Sequence, residues 1–168
     1  LYRYQQIENE LREDKLRLGR VMRLQGESES LAAARKQAET TAAEHLQWRT
    51  RQMDLNLELR GLNDKAKRSE QRLYSGLVKN PKELTDLQNE IDSLGRRRET
   101  LEDELLEAMI MVEDLQEQEA EANSSVSEIL EEWESDQQKY KEEQATLVQR
   151  INELLTHRKV QLSLLSRE

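Results

Sequence analysis

Between residues 84 and 154 the apolar side chains fall on a repeating step of three and four. Leu84, Leu87, Ile91, Leu94, Leu101, Leu105, Ala108, Val112, Leu115, Ala122, Val126, Ile129, Trp133, Leu147 and Leu154 follow it. Arg98, Glu119, Asp136, Tyr140, Glu143 and Arg150 fill the intervening seam positions with polar layers. A seam kept in phase over about ten heptads predicts a helix in a left-handed coiled coil. Towards the end the stripe drifts to Ile151, Leu155, Leu162 and Leu165, which predicts a stutter there.

The first half follows the same rule with a weaker seam. Tyr4, Ile7, Leu11, Asp14, Leu18 and Val21 open it. Leu31, Ala34, Ala38, Thr41, His45, Trp48, Gln52, Leu55, Leu59, Leu62, Ala66, Ser69 and Leu73 carry it on. Between the two runs lies QGESES, residues 25 to 30, where Gly26 and two serines lower helix propensity. With no proline following, the expectation is a bend in a continuous helix.

The stretch LYSGLVKNPKEL, residues 73 to 84, contains the only proline of the chain. Gly76 is placed to end a helix in the left-handed conformation that glycine reaches without strain. Asn80-Pro81-Lys82-Glu83 reads as a helix start, with Asn80 as N-cap, Pro81 as first helical residue and Glu83 reaching back to the cap. A stop and a start so close together fold the second helix back along the first. The chain therefore reads as all-α, a single antiparallel two-helix coiled-coil hairpin. Arm one spans 1–75, the tip loop 76–80 and arm two 81–168. At 1.5 Å per residue each arm extends roughly 110 Å, giving an elongated rod. Pairing Leu73 with Leu84 sets Trp133 beside residues 24 to 26, Trp48 beside residues 108 to 112, and His45 opposite a residue near 113.

Composition agrees with this reading. Of 168 residues, 36% are charged and 4% aromatic, with no Phe, which leaves too little apolar bulk for a wide globular core. A single Pro together with ordered apolar spacing argues for long helices and against disorder. There is no cysteine, hence no disulfide, thiolate metal site or cysteine nucleophile, and this fits a reducing, cytoplasmic setting. No apolar run approaches the length of a membrane span. Both ends stop inside helical pattern, as expected of a fragment.

The net charge of −9 is unevenly spread: residues 101 to 145 carry two basic and sixteen acidic groups, residues 60 to 100 ten basic and seven acidic. The acidic block faces an arm bearing Lys15, Arg17, Arg20, Arg23, Arg35, Lys36, Arg49 and Arg51, so cross-helix pairing is the expectation for much of it. Lys65, Lys67, Arg68, Arg72, Arg96, Arg97 and Arg98 form a candidate basic patch near the tip, suited to phosphate contacts but without interleaved stacking aromatics apart from Tyr74. His45 and His157 fall on seam positions too far apart for a shared metal. No phosphate loop, serine elbow or HExxH pattern occurs, which argues against an enzyme. The NSS at 123 to 125 lies on helix and is discounted as a glycosylation site.

Residues 72 to 109, RLYSGLVKNPKELTDLQNEIDSLGRRRETLEDELLEAM, resemble the bacterial family of coiled-coil hairpin proteins that carry a C-terminal C4-type zinc ribbon. Tyr74, Ser75, Gly76, Val78, Asn80, Pro81, Glu83 and Leu84 match that family's tip. Leu87, Glu90, Ile91, Leu94, Arg97, Leu101, Glu102, Asp103 and Glu104 match the run that follows. The resemblance implies zinc only for a ribbon beyond Glu168, so no cofactor is expected within these residues. It also implies protein partners in flagellar or secretion assembly or in transcription, with nucleic acid as an alternative and a purely structural spacer as another. Homo-oligomerisation stays open. The resulting expectation is a non-enzymatic, chaperone-like adaptor that binds partners through its tip or acidic arm. The candidate tip contacts are Tyr74, Ser75, Gly76, Val78, Lys79, Asn80, Pro81 and Lys82.

Overall fold

A computed structural model describes residues 2–165. Three helices follow one another: α1 (Tyr2–Leu24), α2 (Glu29–Tyr74) and α3 (Pro81–Leu165). No strand occurs among the described residues. The chain divides into two compact units: one comprises Leu1–Lys36 and Ser124–Glu168, the other Gln37–Asn123.

In the Gln37–Asn123 unit, α2 and α3 pair antiparallel from the connection at 75–80 outward. Leu55, Leu101 and Ala108 are buried together, with Trp48, Leu59, Leu62 and Leu105 packed against them. Trp48 thus meets the Ala108 layer, a large side chain against a small one, which keeps a two-helix seam dense. His45 also lies in the seam, but its Nδ1 meets Glu119 Oε2 at 2.5 Å rather than a residue near 113. Four ion pairs cross between the arms: Arg51–Glu104, Arg97–Glu58, Lys65–Glu90 and Arg72–Glu83. With seam positions a at 45, 52 and 59 of α2 and 91, 98 and 105 of α3, all eight residues are g positions. In an antiparallel pair g flanks g, so these ion pairs line one side of the unit and fix its register.

In the other unit, Leu11, Ile151 and Leu154 form the core, with Ile7, Leu18 and Leu155 against it. Arg17 donates to both carboxylate oxygens of Glu143, at 2.6 and 2.9 Å. Arg150 Nε lies 3.1 Å from Asp14 Oδ2, a carboxylate almost withdrawn from solvent. Here the expected bend is corrected to a break. Helix α1 ends at Leu24 and α2 starts at Glu29. Ser28 starts the new helix: its Oγ accepts from Leu31 N at 3.2 Å and its carbonyl from Ala32 N at 3.0 Å. The carbonyls released by the break find donors on α3, from Trp133 Nε1 to Gly26 O at 2.7 Å and from Gln137 Nε2 to Leu24 O at 3.0 Å. Trp133 sits where the register predicts it.

The same place corrects the seam of α3. Arg98, Asp136 and Arg150 are exposed, and Gln137 takes the half-buried place expected of Asp136. After Trp133 the covered positions run Gln137, Tyr140, Gln144, Leu147, Ile151, Leu154 and Arg158. Two successive steps of four, 129 to 133 to 137, make a stutter opposite the break, well before the one expected near the end. The phase change also turns His157 outward and brings Arg158 in. Leu162 is exposed, while the side chain of Leu165 and residues 166–168 lie outside the described residues.

Candidate functional site at the hairpin tip

Helix α2 stops at Tyr74 because Gly76 turns left-handed, with φ of 73°, among the described residues the one positive φ. Ser75 locks the exit from both sides. Its hydroxyl donates to Arg72 O at 2.8 Å and accepts from Leu77 N at 3.3 Å. Asn80 then starts α3, its Oδ1 accepting from Lys82 N at 3.0 Å and its carbonyl from Leu84 N at 3.0 Å. Pro81 follows as first helical residue, where its missing N–H costs nothing. Glu83 does not return to the cap as expected. Arg72, one turn from the end of α2, draws its carboxylate across the hairpin into an ion pair. The charged partner outcompetes the backbone amide because both partners carry charge.

With both helix ends capped by Ser75 and Asn80, the turn between them presents apolar side chains. Tyr74 is 79% exposed and Leu77 86% exposed. Val78 is half-buried, while Lys79, Asn80, Pro81 and Lys82 are exposed. An open groove runs between the arms here, lined by Gln71, Arg72, Ser75, Leu77, Val78 and Lys79. Leu77 is the residue that sequence reasoning missed. Gly76 and Asn80 account for the turn geometrically, but neither predicts which way the intervening side chain points.

The basic patch is dispersed. Arg72, Lys65 and Arg97 face the other arm in ion pairs, and Arg98 lies 3.9 Å from Glu102 on its own helix. Among the described residues Lys67, Arg68 and Arg96 carry no ion pair, nor do Lys79 and Lys82. The hydrogen bond from Lys65, helped by its charge, holds the Glu90 carboxyl below the usual carboxylate range. Glu58 raises Arg97 in the same way. The acidic block pairs less than expected. Arg17 and Arg51 reach it, whereas Arg35 pairs with Glu27 on its own arm, and among the described residues Lys15, Arg20, Arg23 and Arg49 form no ion pair.

Among the described residues no group of three or more His, Cys, Asp or Glu is arranged to hold a metal. A second groove, lined by Lys141, Gln144, Ala145, Val148, Asn152 and Thr156 among others, draws all its walls from one face of α3. Among the described residues, no helix is long and apolar enough to cross a membrane.

Helices paired antiparallel through a heptad seam and joined by a capped turn define a coiled-coil hairpin, an architecture suited to structural or scaffolding work. The chain matches the CT398-like coiled coil hairpin domain over residues 3–168 and belongs to that family. No curated protein and no solved structure matches it.

Proposed function

We propose that this protein is a non-catalytic, chaperone-like adaptor that grips protein partners through the hairpin tip. The observation that carries this reading is the exposure of Tyr74 and Leu77 on a turn capped at its two ends by Ser75 and Asn80. A large aromatic and a leucine held in water by a rigid turn are what a binding hot spot looks like before its partner arrives. Lys79 and Lys82 beside them favour an acidic rim on that partner. The resemblance to zinc-ribbon hairpin proteins supports a bacterial, cytoplasmic setting and partners from secretion, flagellar or transcription machinery. The acidic stretch of α3 offers a second protein-binding surface.

The test is capture from bacterial cytosolic extract by the immobilised chain, with proteins quantified against a Tyr74→Ala/Leu77→Ala variant. A partner subset falling at least tenfold is the expected result, and an identical set with both baits removes the tip reading and leaves a spacer. Nucleic-acid binding has less to draw on, since four of the seven basic-patch residues face carboxylates. RNA or DNA binding that weakens steeply with salt and is lost in Lys67→Glu/Arg68→Glu/Arg96→Glu would favour that competing reading.

A further inference from the structure

On the outer face of α3 in the Gln37–Asn123 unit, one heptad departs from the rule its neighbours keep. With seam position a at 98, 105 and 112, the b, e and f places of each heptad fall within about 100° of arc and form one contiguous face. In one heptad they hold Glu99, Glu102 and Asp103, and two heptads on Glu113, Gln116 and Glu117, all exposed. Between these stand Leu106, Met109 and Ile110, exposed by 61%, 48% and 55%. Spacings of i, i+3 and i+4 along a single helix make the three side chains neighbours, whatever the register with α2. Exposed apolar residues scattered singly are ordinary, but three neighbours set between polar heptads form an island.

The surroundings of that island carry one sign. No lysine or arginine occurs between Arg98 and Lys139. Arg51, which crosses from α2, meets Glu104 on the g flank and not on this face. Of the five acids beside the island only Glu102 has a cation, Arg98 at 3.9 Å on its own helix. Among the described residues Glu99, Asp103, Glu113 and Glu117 carry no ion pair. On α2 the adjoining e places hold Arg49 and Asn56, a single cation against those five acids.

We infer that Leu106, Met109 and Ile110 receive an amphipathic helix of a partner protein, with basic residues at both ends of its apolar stripe. A helix laid along α3 meets a short row of i, i+3 and i+4 side chains with a matching row of its own. Glu99 and Glu113 each stand one heptad from Leu106, roughly 10 Å along the axis, and set where the partner's lysines or arginines fall. The acids steer and select, while the three apolar side chains supply the contact that holds. Nucleic acid and anionic bilayers, both rich in phosphate, are repelled by the same five acids. The inference rests on the adaptor reading in taking the partner to be a protein, and it names the chemistry selected by α3, opposite in sign to that favoured at the tip.

Fluorescence anisotropy with a labelled helical peptide tests it. The peptide carries leucines at i, i+3 and i+4 with lysines one heptad to either side, and its control has the same composition with the leucines spread around the helix. The full chain is expected to bind the first peptide at least tenfold more tightly than the control. Leu106→Ser/Ile110→Ser and Asp103→Lys/Glu113→Lys, each with far-UV circular dichroism unchanged, are expected to weaken that binding at least tenfold. Equal affinity for the two peptides overturns the inference, because charge alone then accounts for binding. Indifference to either variant overturns it too. So does self-association in sedimentation equilibrium that Leu106→Ser/Ile110→Ser abolishes, since a second copy then covers the face. The tip is read separately: capture with Tyr74→Ala/Leu77→Ala bears on the tip alone, and a failure of the peptide here leaves the tip reading standing.

Discussion

The chain interrupts its helices twice, at 25–28 and at 75–80, each time with a glycine and a serine, and the two interruptions do opposite things. At the tip, Gly76 adopts φ of 73° and Asn80-Pro81 starts a new helix in the reverse direction. Every backbone group named there is satisfied by a residue of the turn itself. At the break, Gly26 has no positive φ, Ser28 starts a new helix, and the freed carbonyls of Leu24 and Gly26 are met by Gln137 and Trp133 from α3. A glycine alone does not reverse a chain. Reversal needs the left-handed stop and the proline-backed start together, whereas an interruption without them is absorbed by the neighbouring helix.

The largest test of that contrast removes the neighbour's support. Trp133→Ala takes away a half-buried ring and leaves the Gly26 carbonyl without its donor. It is expected to cost about 2 to 3 kcal/mol in urea unfolding followed at 222 nm. Tyr74→Ala at the tip touches nothing comparable and stays within about 0.5 kcal/mol. Equal losses at the two sites would mean that the break does not depend on α3.

Next come the glycines themselves. Nothing lies within 4 Å of an added Cβ at either position, so conformation alone decides. Gly76→Ala forces an L-residue into the left-handed region and destabilises by about 1 to 2 kcal/mol. Gly26→Ala meets no such strain and instead restricts the unfolded chain, a gain of up to about 0.5 kcal/mol. Opposite signs in the same unfolding experiment are the expected outcome. Smaller and alike in sign are the two caps: Asn80→Ala and Ser28→Ala each lose the side-chain acceptor of a helix start, at about 1 kcal/mol.

The contrast also explains what could be read from sequence. The tip was legible because its signals are local: Gly76, Asn80 and Pro81 each impose a backbone conformation on their own residue or the next. The seam was legible by periodicity, down to Asp14, Thr41 and Ser69 as buried polar positions. The break was not, because whether QGESES bends or parts depends on donors supplied from residues 133 and 137, more than a hundred positions away. The shift of phase in α3 follows from the same contact, so it too escaped a reading of α3 alone. Leu77 escaped for a different reason. Sequence specifies that the chain turns there, while only the folded turn shows that nothing covers its side chain. Glu83 shows competition between two sound local rules, a cap and a cross-helix ion pair, settled by Arg72 lying opposite.

Acid offers the gentlest way to compare the two regions, because each carries one carboxyl held below its ordinary range. Glu90, near the tip, is lowered chiefly by the hydrogen bond from Lys65, then by the charge of that lysine. Glu143, facing α1 in the unit that contains the break, is lowered chiefly by the hydrogen bond from Arg17. A carboxyl whose folded pKa lies below its unfolded one binds fewer protons when folded. Its contribution is therefore fully present above the unfolded carboxylate range and is lost as pH falls through the folded value. Both pairs are open to solvent, so salt screens them and the effect is small. Glu90→Gln and Glu143→Gln should each narrow the stability gap to the unsubstituted protein as pH drops below the carboxylate range, and more sharply at low salt. The arginine pair has two aligned hydrogen bonds, at 2.6 and 2.9 Å, against a lysine at 3.1 Å. Fork geometry makes the former the stronger tie. Glu143→Gln is thus expected to show the larger pH-dependent difference, and the reverse order would place the firmer clamp at the tip.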